Sequence, residues 1–107
     1  MGDTEEILKT VASFYSLSID ELTSGRRTLM RTWARHCAAF LLRSTGRYSW
    51  ADVARVLKYG DHTGPLDAVK TVQRRAAADP VLHGQLRALL AAWRTRENEL
   101  YSPEGRD

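Results

Sequence analysis

The chain has 107 residues and a formal net charge of +3; 43% of its residues are hydrophobic and 27% charged, with 7 Gly, 3 Pro and 1 Cys. That is one domain's worth of ordinary globular composition, and it excludes wholesale disorder, a collagen-like repeat, a disulfide framework and a two-domain cofactor enzyme. No apolar run approaches the roughly 18 residues of a membrane span, and the N-terminus lacks the charged-then-apolar form of a signal peptide, so a cytoplasmic protein is expected.

The apolar residues recur at helical spacing almost throughout. Ile7, Leu8, Val11, Ala12, Phe14 and Tyr15 make one stripe, predicting a first helix from Thr4 to Ser16 with Glu5 and Glu6 in its favoured first turn. Ser18 and Glu21 have capping-box spacing and open a short second helix anchored by Leu17, Ile19 and Leu22. Thr23 to Thr28 clusters Ser, Gly and Thr around Arg26 and Arg27 and reads as a loop. A third helix is expected from Leu29 to Ser44, burying Met30, Trp33, Ala34, Cys37, Ala38, Phe40 and Leu41, with Gly46 ending it. Ser49, with Asp52 three residues on, opens a fourth, whose inner face is Trp50, Val53, Ala54 and Leu57.

Tyr59-Gly60-Asp61 makes a tight turn, and a fifth helix starts at His62 or Thr63, with Thr63 as N-cap and Pro65 in the first turn. Asp79-Pro80 stops it and starts a sixth, in which Val81, Leu82, Leu86, Leu89, Leu90 and Trp93 face inward. Past Glu97 the chain turns polar and gains Pro103 and Gly105. The expected division is a helical domain over 1–96 and a flexible polar tail over 97–107.

Charge follows the same map. Residues 1–21 hold one base against five acids, residues 22–75 eleven bases against three acids, and residues 76–107 four bases against five acids. A basic middle between acidic ends suits a surface that faces phosphate. Within it, two short helices joined by a Gly-containing turn have the helix-turn-helix arrangement, whose second helix enters the major groove. Asp61, His62 and Thr63 stand where base edges are met. Lys70, Arg74 and Arg75 follow on that helix, Lys58 ends the one before it, and Arg43 and Arg47 flank them as phosphate clamps.

The run from Ile7 to Leu90 resembles the C-terminal DNA-binding domain (domain IV) of the bacterial replication initiator DnaA. The similar segments are Ile7 to Tyr15, Ile19 to Ser24, Arg35 with Ala38, Leu41 and Leu42, Ser49 to Ala54, and the Asp61-His62-Thr63 signature. The resemblance implies an all-α fold of about six helices, with a helix-turn-helix of the Trp-repressor type. It implies that Asp61, His62 and Thr63 read bases of a nine-base-pair box in double-stranded DNA. It places Arg43 and Lys70 at basic positions of the family, and it gives the loop a phosphate or minor-groove role, for which Arg26, Arg27 and Arg31 are the candidates. The chain departs from the family pattern at Gly60, Gly64 and Pro65, and at Leu29, which aligns with the minor-groove Arg. Altered or relaxed sequence choice is therefore expected.

No Gly-x-x-x-x-Gly-Lys-Ser/Thr loop is present, so no ATPase activity is expected. Gly60 and Gly64 favour a free-standing relative that regulates replication or transcription by occupying sites over an excised domain of a larger initiator. The resemblance implies a monomer, because the family's domain binds its box without a dimer axis. The alternative is a helical protein–protein interaction module that kept the fold and lost specific DNA recognition, with the sixth helix as a partner surface. No catalytic pairing is evident, so neither enzymatic activity nor a cofactor is expected. His36, His62 and His83 lack ligand spacing, so no metal is expected either, and Cys37 is expected in the core.

Overall fold

The computed structural model describes residues 2–24 and 26–101, and among these it contains six helices and no strand. They are α1 (Gly2–Phe14), α2 (Ile19–Thr23), α3 (Leu29–Ser44), α4 (Trp50–Leu57), α5 (Thr63–Ala78) and α6 (Pro80–Tyr101).

Each start has a local cause. Ser18 Oγ accepts from Glu21 N at 3.0 Å while Glu21 Oε1 accepts from Ser18 N at 2.9 Å, which is the full capping box. Ser49 and Asp52 repeat it at 3.0 and 3.1 Å. Thr28 caps α3 by accepting from Arg31 N at 3.1 Å, and Asp79 caps α6 by accepting from Val81 N at 2.9 Å. The first helix ends at Phe14, two residues earlier than its stripe predicts. Ser16 turns left-handed (φ 58°), and Leu17 N donates back to the Ala12 carbonyl at 2.8 Å.

α3 is the central helix and packs against α1, α2, α4 and α5. Its buried positions are mostly small (Ala34, Cys37, Ala38, Ala39), which lets its neighbours approach closely. Ile7 and Val11 of α1, Leu22 of α2, Val53 and Leu57 of α4, Val72 of α5 and Leu89 of α6 complete one contiguous core with Leu41 and Leu42. Cys37 is buried, as expected, and burial pushes its thiol up to about 11.

Three expected core residues are instead exposed: Phe14, Met30 and Val81. Each sits in a terminal turn of its helix, beyond the neighbour that would cover it. α6 also runs further than expected. Residues 97–101 are helical rather than part of a tail, because Arg96 ties α6 to Glu6 of α1 (3.0 Å) and to Glu99 (3.3 Å), and Leu100 packs on the core. The rest of the expected tail, 102–107, and Gly25 of the expected loop lie outside the described residues.

Candidate nucleic-acid interface

The turn between α4 and α5 is built around Tyr59. α4 ends at Leu57, and Lys58 adopts the left-handed conformation (φ 60°). Arg35 of α3 reaches this corner, where its Nε donates to the Leu57 carbonyl at 2.9 Å and its Nη2 to the Lys58 carbonyl at 2.6 Å. Two of the acceptors that every helix end leaves open are thereby satisfied. The same guanidinium lies 3.9 Å from the centre of the Tyr59 ring, and the Tyr59 hydroxyl stands 3.2 Å from His36 Nδ1. Burial pushes the Tyr59 phenol up to about 12 against the pull of the Arg35 and Arg27 charges, so it stays neutral.

The other edge of the ring packs on Gly64. A Cβ at that position would stand 2.7 Å from Tyr59 Cδ1, so glycine is required while the tyrosine keeps this place. The Tyr59 ring fills the space that a side chain at Gly64 would need.

The first turn of α5 is capped by Asp61, not by Thr63 as the sequence suggests. His62 holds the cap position without a side-chain bond, while Asp61 Oδ1 accepts from Thr63 N at 3.0 Å, Thr63 Oγ1 at 2.5 Å and Gly64 N at 3.4 Å. The Thr63 hydroxyl first, and then its N–H, hold the Asp61 carboxyl below the usual range. Asp61, His62 and Thr63 are all exposed, and Asp61 Oδ2 has no partner among the described residues.

Along α5 the buried arc is Pro65, Ala68, Val69, Val72 and Ala76. Thr63, Asp67, Lys70 and Arg74 follow at i, i+4, i+7 and i+11, so they fall on the side opposite that arc, and all four are exposed. The stripe they form is about 16 Å long. Asp67, in its middle, was not singled out by spacing or resemblance; the wheel drawn from the buried arc would have found it.

The predicted phosphate-facing cations divide into two groups. Arg26, Lys58, Lys70 and Arg74 are exposed, with side chains unpaired among the described residues, and exposed Arg27 makes one long bond to the Leu22 carbonyl (3.4 Å). The other three are committed within the molecule. Arg31 Nη2 pairs with Glu21 Oε2 at 2.8 Å and its Nη1 donates to the Arg26 carbonyl at 3.0 Å. Arg43 Nη1 donates to the Tyr48 carbonyl at 2.6 Å, and its guanidinium lies 4.0 Å over the Trp50 ring. Arg47 pairs with Asp3 at 3.1 Å and Glu97 at 3.5 Å, at the opposite end of α3 from the Arg26–Arg27 loop. Arg75 leaves the outward stripe to lie 4.9 Å over Trp33.

Residues 4–72 match the family model described as the bacterial dnaA protein helix-turn-helix. The chromosomal replication initiator protein DnaA of Thermus thermophilus is 33% identical over 91 residues, which cover 85% of this chain and 21% of that protein. Its counterpart in Magnetococcus marinus is 29% identical over 85 residues, covering 79% of this chain and 19% of that protein. A crystal structure described as a DNA replication initiation factor superposes with a TM-score of 0.69 at 22% identity, over 84% of this chain and 29% of that one. The chain thus spans about a fifth of the length of the curated relatives it matches.

Proposed function

Because the chain belongs to the bacterial DnaA helix-turn-helix family, we propose that it binds double-stranded DNA with α5 in the major groove and acts by occupying its site as a small regulator of replication or transcription. The observation that carries this reading is the outward stripe of α5. It stands on a helix whose entry is fixed by Arg35, Tyr59 and Gly64, and it carries Lys70 and Arg74 unpaired while Asp61, His62 and Thr63 open it. A recognition helix meets base edges with its N-terminal residues and needs little besides a rigid mount and neighbouring cations.

In this reading Asp61 Oδ2, His62 and Thr63 face the bases, and Asp67 is a further acceptor in the groove, suited to a cytosine amino group. Arg26, Arg27, Lys58, Lys70 and Arg74 face phosphates. Arg31 and Arg43 position the loop and the start of α4. The packing of Tyr59 on Gly64 also weighs against a lost DNA function, because it gives that departure a structural reason.

The test is binding of the chain, as a monomer, to a labelled duplex carrying the initiator family's nine-base-pair box and to a scrambled duplex, each at two salt concentrations. Box-preferring binding that is lost in His62→Ala or Thr63→Ala is the expected result. Equal, salt-sensitive binding to both duplexes would remove sequence choice and leave phosphate contact. No binding at low salt would sink the reading and favour a protein partner.

A further inference from the structure

Leu29 is 93% exposed and its neighbour Met30 is 52% exposed. A lone exposed leucine needs no explanation, but this pair stands on a stiffened platform among cations. Thr28 caps α3 at Arg31, Arg31 donates to the Arg26 carbonyl, and Arg31 pairs with Glu21 of α2, so the chain from 26 to 31 is tied down at three points. Arg26 and Arg27 flank the leucine with exposed guanidiniums.

The platform lies beside the helix-turn-helix corner. The Arg27 charge acts on both Arg35 and Tyr59, the two residues that fix the turn. Leu29 also shares its stripe of α3 with Trp33 (i+4) and His36 (i+7), which meet Arg75 and Tyr59 and are half-buried, whereas Leu29 is exposed.

We propose that Leu29, backed by Met30, is an apolar wedge that enters the minor groove of a bound duplex and partly unstacks one base step, while Arg26 and Arg27 hold the flanking phosphates. This rests on the DNA-binding reading above. With α5 in the major groove, a stiff loop beside its entry meets the phosphate ridge first and the minor groove next. That groove, about 6 Å wide, admits a side chain but not a helix. Leucine offers base edges no donor or acceptor. What it offers is apolar volume to fill the gap between separated bases, the way apolar wedges bend DNA in other proteins. The exposed cations around it, Arg26 and Arg27, select a polyanion over a protein surface.

The experiment uses the whole chain and duplexes, box-bearing and scrambled, with 2-aminopurine placed at successive steps. Binding is expected to raise the fluorescence at one step. Leu29→Ala is expected to abolish that rise and weaken binding about tenfold, with the dependence of log Kd on log salt unchanged. Leu29→Met is expected to keep both properties. Arg26→Ala and Arg27→Ala should instead each lower the salt slope by about 0.9. Circular dichroism of Leu29→Ala is expected to match the parent, since the side chain is almost wholly exposed. Binding without any fluorescence rise, or Leu29→Ala that binds like the parent, overturns the wedge and leaves the DNA-binding reading standing. A parent chain that binds no duplex at low salt overturns both.

Discussion

Removing the Arg35 side chain would free two carbonyls at the end of α4 and uncover one face of Tyr59. Charge-assisted hydrogen bonds of this kind are worth about 1.5–3 kcal/mol each when one partner is deleted, less where water can replace it. Arg35→Ala should therefore cost about 2–3 kcal/mol in urea denaturation. Arg35→Lys should recover little of that, because an ammonium cannot span both carbonyls and stack. A lysine variant as stable as the parent would show that the fork geometry does not matter. At Gly64 the conflict is steric, with 2.7 Å between an added Cβ and the Tyr59 ring. Gly64→Thr should cost about 1–3 kcal/mol, and pairing it with Tyr59→Ala should remove most of the penalty in a double-mutant cycle. His36 adds a pH dependence. Burial, and then the Arg35 and Arg75 charges, push its imidazole below the ordinary value. The unfolded chain takes up this proton first, so the contribution is full above about pH 6.5 and is lost as pH falls towards the folded value. The Tm should drop as pH falls below about 6.5, and His36→Gln should flatten that part of the curve.

Asp61 serves two ends at the level of the helix, since its Oδ1 caps α5 while its Oδ2 is open. Asp61→Ala should lower the stability of the helix start and speed amide exchange at Thr63 and Gly64. Asp61→Asn keeps a capping oxygen, so it should stay near parental stability yet change base preference; an asparagine variant with unaltered preference would reduce Asp61 to a cap. Because the folded carboxyl titrates low, the cap's contribution is present above the ordinary Asp value and is lost as pH falls through the depressed one. Much of this architecture was legible in advance. The Ser18–Glu21 and Ser49–Asp52 boxes and the Asp79-Pro80 break are short-range signals, and the sequence spacing alone predicts them. What escaped was the pairing of the arginines. Arg31 and Arg47 pair with acids of other helices and Arg43 bonds across the α3–α4 connection, so exposed cations and committed ones look alike in sequence. The packing of Tyr59 on Gly64 is local in number, but it depends on Arg35 and His36 of α3 to hold the ring.

Across the whole molecule the exposed Arg26–Arg27 loop and the paired Arg47 stand at different ends of α3. The Arg26–Arg27 loop and the turn lie towards its N-terminal half, while Arg47 sits beyond its C-terminus, bridging Asp3 and Glu97. Exposed pairs of this kind contribute about 0–1 kcal/mol. Arg47→Ala should therefore lower stability only slightly and leave the salt slope of duplex binding alone, whereas Lys70→Ala should lower that slope by about 0.9. Equal slopes in the two variants would mean that the α5 face is not where phosphate sits. The Arg47 bridge has another consequence. One guanidinium gathers the first turn of α1 and the last turns of α6, and Tyr101 is only one helical turn past Glu97. A short linker should therefore close the chain into a ring, and a circular permutant opened elsewhere on the surface should still fold.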